Sequence, residues 1–171
     1  MKMAELWDGR NRDGSLSGVT LVRGAAIPAG QYHMVCETLI RHADGEILLM
    51  QRDPRKEAYP GYWEAGAGGS ALQGEDADAC IRREVREETG IGRGTFTELG
   101  RFVRDETQSI FVSYVCVTDW DKTAVALQEG ETVAFRWVSE AQFRDFLRSD
   151  KVIDTQLVRY RDYYREMGWM E

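Results

Sequence analysis

Residues Gly69–Ile91 read GSALQGEDADACIRREVREETGI, and their spacing predicts a helix over Asp76–Thr89. Gly74 interrupts the chain before it, Glu75 and Asp76 suit its positive N-terminal end, and Gly90 supplies the stop. At ~100° per residue, Ala77, Cys80, Ile81 and Val85 share one broad face. Glu84, Glu87 and Glu88 interleave with them, while Asp78, Arg82 and Arg86 lie opposite. The i, i+3 and i, i+4 spacings crowd three carboxylates together beside an apolar stripe, which is costly without compensation. Two readings follow. Arg83 and Arg86 neutralise the carboxylates at a solvated rim, or the cluster holds Mg²⁺ or Mn²⁺, hard cations that select oxygen ligands.

The flanking sequence alternates strand and turn. Asp13-Gly14 separates Glu5–Trp7 from Gly18–Val22, and Asp44-Gly45 separates Tyr32–Arg41 from Glu46–Arg52; Asp-Gly between apolar runs signals a hairpin. Pro60-Gly61 turns into Tyr62–Ala65, and the glycine-rich Gly66–Gly69 follows. Past the central helix, strands are expected near Phe96–Val103, Ser109–Thr118 and Thr132–Val138. Ser139–Gln142 is a capping box opening a helix to about Leu147, and a last helix is expected from about Val152 to Met167. Strands on both sides of one helix, with helices at the C-terminus, predict an α/β chain with a mixed sheet between helices.

At 171 residues the chain suits one domain: an N-terminal β extension over 1–30, a core over 31–148 and a C-terminal helix in 149–171. Apolar residues make up 43% and charged residues 30%, an ordinary globular balance that excludes wholesale disorder. The net charge is −7 with no Lys/Arg run longer than a pair, so no footprint for duplex nucleic acid is visible. A phosphorylated small molecule is still admissible, because a bound cation inverts the local field. Cys36, Cys80 and Cys116 are scattered and odd in number, which points to a reducing compartment. Met1–Trp7 has no secretory h-region, and the longest uncharged apolar stretch, Ser109–Thr118, is too short to span a bilayer. The expectation is a cytoplasmic protein without membrane association.

Gly69–Ile91 also resembles, at each specified position, the signature of the Nudix (MutT-like) hydrolases, G-x5-E-x7-R-E-U-x-E-E-x-G-U with U aliphatic. The matching residues are Gly69, Glu75, Arg83, Glu84, Val85, Glu87, Glu88, Gly90 and Ile91. Seven of these nine demand one residue type, so a chance match is on the order of one in 10⁸. The approach ILLMQR and Pro-Gly-x-Trp, and the exit Arg136-Trp137-Val138, extend the likeness over about Tyr32–Leu147.

The resemblance implies an α/β/α sandwich with the signature as a loop-helix-loop, and Mg²⁺- or Mn²⁺-dependent hydrolysis of a phosphoanhydride in a small diphosphate-containing substrate, nucleotide-derived in many members. It implies Glu84, Glu87 and Glu88 as metal ligands with the Gly68 carbonyl, glycine there admitting close approach of backbone, metal and diphosphate. Glu75 becomes an accessory ligand, and Arg83 orients the carboxylates by a bidentate ion pair. Gly68 and Gly69 face the substrate. The general base is Glu84 or an acid of Glu129-Gly-Glu131, with Glu131 the choice within that segment. Tyr62 or Phe111 could stack on a base, although aromatic strand residues are more often core, and Tyr62 is taken as the substrate contact.

Two alternatives accompany this reading. Trp7-Asp8, Tyr32-His33, Tyr59-Pro60-Gly61 with Trp63, and Glu129-x-Glu131 also resemble isopentenyl-diphosphate isomerases. Those enzymes carry a cysteine acid and a histidine ligand where this chain has Gly68 and Ser70. Some Nudix-like domains are instead non-enzymatic ligand sensors. His33 reads as structural, His42 as solvated beside its turn, Cys80 as core, and Trp63 and Trp137 as packing residues. Leu6–Arg23 is apolar enough to need a partner, either within its own domain or across a homodimer axis.

Overall fold

The computed structural model describes residues 3–171; Met1 and Lys2, part of the segment read for a secretory signal, lie outside them. Both expected hairpins form. Strands β1 (Leu6–Arg10) and β2 (Leu16–Val22) pair antiparallel around Gly14, which sits at φ 89°. Strands β3 (His33–His42) and β4 (Ile47–Arg52) flank Gly45, but their ladder holds only at Arg41 opposite Ile47. Beyond that point the two strands part.

The next segment keeps them apart. Strand β5 (Trp63–Ala65) pairs with β4, while β6 (Ala67–Ser70) pairs with β3. Gly66, between them, has φ 92°, and a Cβ there would collide with the Thr38 carbonyl. Only glycine can make this switch from one strand to the other. A fork results, and helix α1 (Ala77–Thr89) packs over β3 and β6 beside it.

The ends of α1 are where the local sequence places them. The Asp76 side chain accepts from Ala79 N–H at 2.8 Å, and Gly90 closes the helix at φ 75°. Strand β7 (Thr95–Arg104) pairs with β8 (Ser109–Thr118), which runs parallel to β3 from His33–Ser109 to His42–Thr118. Strand β9 (Thr132–Val138) lies along β4. Helix α2 (Glu140–Leu147) opens with the Ser139–Gln142 capping box, and α3 (Asp154–Glu166) is the last helix, slightly shorter than expected.

Both faces of the sheet's centre are covered, so β3, β4 and β8 are largely buried and rich in apolar residues. Met34, Cys36, Ile40, Leu48 and Met50 pack against Cys80, Ile81 and Val85 of α1. Alternate residues Leu39, Ile47 and Leu49 pack against Phe143, Leu147, Tyr160, Tyr164 and Trp169. The architecture is an α/β/α sandwich around a mixed seven-stranded sheet, with the β1–β2 hairpin as a separate two-stranded sheet. Among the described residues no helix is long and apolar enough to cross a membrane.

Phe143 is fully buried, edge-on to Tyr164 and Trp169 at 5.7 and 5.3 Å. Phe143→Ala is expected to cost ~3–5 kcal/mol. Equilibrium unfolding in urea should show a lowered midpoint with an unchanged slope.

Candidate active site in the strand fork

A cleft of about 800 Å³ opens at the fork. Seven carboxylates line it (Glu5, Glu37, Glu64, Glu84, Glu87, Glu88 and Glu131) against five cations, Arg23, Arg52, Lys56, Arg83 and Arg159. They come from the hairpin, β3, β4, β5, α1, α3 and the loops, so the chain converges on this point from most of its length.

Arg83 organises the helix side. Its Nε and Nη2 donate to the two oxygens of Glu75 at 2.6 and 3.0 Å, and Nη2 also donates to the Ser70 carbonyl at 3.1 Å. Its Nη1 donates to Glu84 at 2.7 Å and to Glu87 at 3.1 Å. The bidentate pair is therefore with Glu75, while Glu84 and Glu87 receive one bond each. Burial would raise Glu75, but the Arg83 bonds and the Leu72 N–H outweigh it and hold its carboxyl below the ordinary range.

Glu84 moves the other way. Burial, with help from Glu87 and Glu75, lifts its carboxyl above the ordinary value despite Arg83. Glu88 goes further, raised well above by burial and by repulsion from Glu64, Glu84 and Glu131, with Lys56 pulling weakly against them. Glu64, with Arg52 at 3.3 Å, is likewise raised by burial. These groups repel in a low-dielectric space, so they are held where ionisation is costly. Among the described residues no three His, Cys, Asp or Glu side chains already converge as a metal cage, and the guanidinium of Arg83 pairs with Glu75, Glu84 and Glu87.

The two glycines have reasons the sequence reading did not supply. A Cβ on Gly69 would lie 2.5 Å from the Glu84 carboxyl, so glycine makes room for that side chain under β6. A Cβ on Gly68 would lie 2.6 Å from the Cys36 carbonyl, so strand β3 by itself already requires glycine there. Both residues do line the cleft.

Of the other expected site residues, Glu131 lines the cleft and is ion-paired with Lys56. Glu129 is exposed and is not part of the lining. Tyr62 is also outside the lining: its ring meets Tyr59 edge-on at 5.5 Å, with the Lys151 ammonium 5.9 Å away. Phe111 does reach the cleft, but the Arg159 guanidinium covers it at 4.0 Å. His33 is held structurally, stacked on Trp7 at 4.4 Å and bonded to Ser109 at 2.9 Å. His42 is not solvated: it packs edge-on to Trp137 at 5.6 Å, and its Nε2 meets the Trp120 carbonyl at 3.2 Å. Cys80 is core, as read.

Sequence reasoning missed Glu37, Glu64, Arg52, Lys56 and Arg159. Glu37 is buried on β3 and accepts from Arg159 at 2.5 and 2.7 Å and from Ser113 at 2.9 Å. A lone acid inside the apolar run Met34–Ile40 was the available signal. The others are separated from the helix by too much chain for spacing to connect them.

The family model described as the NUDIX domain matches residues 31–158. An uncharacterized Nudix hydrolase of Listeria monocytogenes is 30% identical over 149 residues, spanning 87% of this chain and 88% of its own. The isopentenyl-diphosphate Delta-isomerase of Citrobacter koseri is 27% identical over 110 residues, 61% of each chain. The crystal structure of DR0079 from Deinococcus radiodurans shares the fold, with a TM-score of 0.70 at 21% identity over 91% of this chain and 98% of its own. On the fold, the intact signature and these likenesses together, the chain belongs to the Nudix family and is a hydrolase of its pyrophosphohydrolase class.

Proposed function

We propose that this chain hydrolyses a phosphoanhydride bond in a small diphosphate-containing molecule, with Mg²⁺ or Mn²⁺ as cofactor. The observation that carries this reading is the crowding of acids in one cleft, where Glu84, Glu87 and Glu88 of the helix meet Glu64 and Glu131, and burial works against the ionised forms of Glu64, Glu84 and Glu88. An anionic substrate would be repelled by these acids unless a cation stood between them. The donors are all oxygen, the set that hard divalent cations select.

Glu84, Glu87 and Glu88, with the Gly68 carbonyl, would hold the ion, and Glu75 would serve as an accessory ligand. When bound, the ion supplies neutralisation of diphosphate oxygens and a more acidic water. Arg83 keeps Glu84 and Glu87 in place from their outer side. Arg52 and Lys56 are positioned to exchange a carboxylate for phosphate oxygens. In that exchange Lys56 would leave Glu131, freeing its carboxylate to accept the proton of the attacking water, and the Lys56–Glu131 pair supports Glu131 over Glu84 as general base. The isomerase reading is weakened at two positions: Gly68 has no side chain to act as an acid, and Ser70 is not an imidazole.

Glu87→Gln and Glu88→Gln should each lower kcat by at least ~10²-fold with the fold retained, as loss of a preorganised charge typically does. A panel of phosphorylated metabolites assayed with Mg²⁺ and Mn²⁺ provides the measurement, and undiminished turnover in both variants would refute the assignment. Glu131→Gln should lower kcat while sparing calorimetric metal affinity, whereas Glu84→Gln should weaken both.

Glu88 should also trade stability for function. Its carboxyl titrates above the ordinary 4.5, so below that pH it is protonated in folded and unfolded chains alike and carries no penalty. As pH rises from there the unfolded chain ionises first. The folded state loses stability as pH climbs toward the raised value. Metal-free Glu88→Gln is therefore expected to be more stable than the parent at pH 7.5, with a higher melting temperature. Scanning calorimetry in chelator should find the gap closing toward pH 4.

A further inference from the structure

The β1–β2 hairpin lies outside the matched residues 31–158, yet it is built into the cleft. It grips the loop that leads into α1. The Leu6 carbonyl accepts from Gln73 N–H at 2.9 Å, the Asp8 carboxylate from Gly74 N–H at 2.8 Å, and Thr20 Oγ from Gln73 Nε2 at 3.0 Å. Trp7 stacks on His33, and the Arg10 and Tyr32 backbones exchange two hydrogen bonds of 2.9 Å. Gly9 has no space for a side chain, since a Cβ would lie 2.7 Å from the Val19 carbonyl. The hairpin is thus a braced arm.

The two ends of that arm, Glu5 and Arg23, reach the cleft. Arg23 N–H donates to the Glu5 carbonyl at 2.9 Å, and its guanidinium meets the Glu5 carboxylate at 3.1 Å. Burial would raise Glu5, but the Trp7 and Arg23 hydrogen bonds, aided by the charge of Arg83, leave it lowered. The pair therefore stands within electrostatic reach of the arginine that organises Glu84 and Glu87.

The five cleft cations differ in how firmly they are held. Arg159 is tied to Glu37 by two bonds with both side chains 9% exposed, and Arg83 serves three carboxylates at once. Arg23 is 62% exposed and holds one partly exposed carboxylate. A buried bidentate pair resists a change of partner, whereas an exposed single contact contributes little and exchanges readily. Arg52 at 17% and Lys56 at 24% exposure are also more enclosed, so Arg23 is the cation an incoming anion can recruit at least cost.

We infer that the hairpin is a specificity arm, and that Arg23 receives a phosphate of the substrate lying beyond the diphosphate that is cleaved. Glu5 holds Arg23 in reserve until that phosphate arrives. The substrate class narrows to molecules with three or more phosphates, or a diphosphate whose other moiety is itself phosphorylated. This rests on the hydrolase reading above and deepens it.

The test is calorimetric titration of the full chain with inorganic tripolyphosphate and with pyrophosphate, both in Mg²⁺. The parent protein should prefer tripolyphosphate. Arg23→Gln should reduce the ratio of the two affinities roughly 5- to 20-fold, and Glu5→Gln, which releases Arg23, should increase it. An unchanged ratio in Arg23→Gln overturns the inference while leaving the hydrolase reading intact. Equal weakening of both ligands also overturns it, since that is what a merely structural brace would produce. Binding of neither ligand by the parent protein overturns both readings together.

Discussion

Like charges gathered in one cleft dominate this molecule. Burial and the charges of neighbouring carboxylates disfavour the ionised forms of Glu64, Glu84 and Glu88. A chain selected for stability alone would replace such groups with apolar ones of similar shape. The cost is tolerable because two apolar layers, one under α1 and one under α2 and α3, close around the sheet on either side of the fork.

The fork depends on one backbone position. Gly66 lets a single segment change partners from β4 to β3, and the gap between the parted β3 and β4 becomes a cleft. Glycines 68 and 69 continue the same geometry, the first clearing the β3 backbone and the second clearing Glu84. Backbone shape and electrostatics are therefore a single constraint. The carboxylates can crowd together because the strand beside them carries no side chains at these two positions.

Arginine is the counterweight throughout. Arg83, Arg52 and Arg159 each pair with carboxylates in the cleft, and Arg83 spans three of them through its planar fork of donors. Prepaired cations of this kind keep the cleft ordered. Glu5 and Arg23 on one side of the signature in sequence, and Arg159 on the other, line the same cleft only because the hairpin and α3 fold back onto it.

Local chemistry was sufficient for the elements and the helix side of the site. Helix α1, its glycine stop, the Ser139 capping box and both Asp-Gly hairpins are each encoded within a few residues, where propensity and capping act. The i, i+3 and i, i+4 spacing was likewise enough to bring Glu84, Glu87 and Glu88 together. Only the tertiary structure decided that Tyr62 meets Tyr59, that His42 packs against Trp137, that the Gly68 backbone lies close against β3, and that Glu37 meets Arg159 across 122 positions of chain. Those outcomes turn on strand register and on which face a helix presents, and such long-range contacts leave no periodicity to read in the residues that make them.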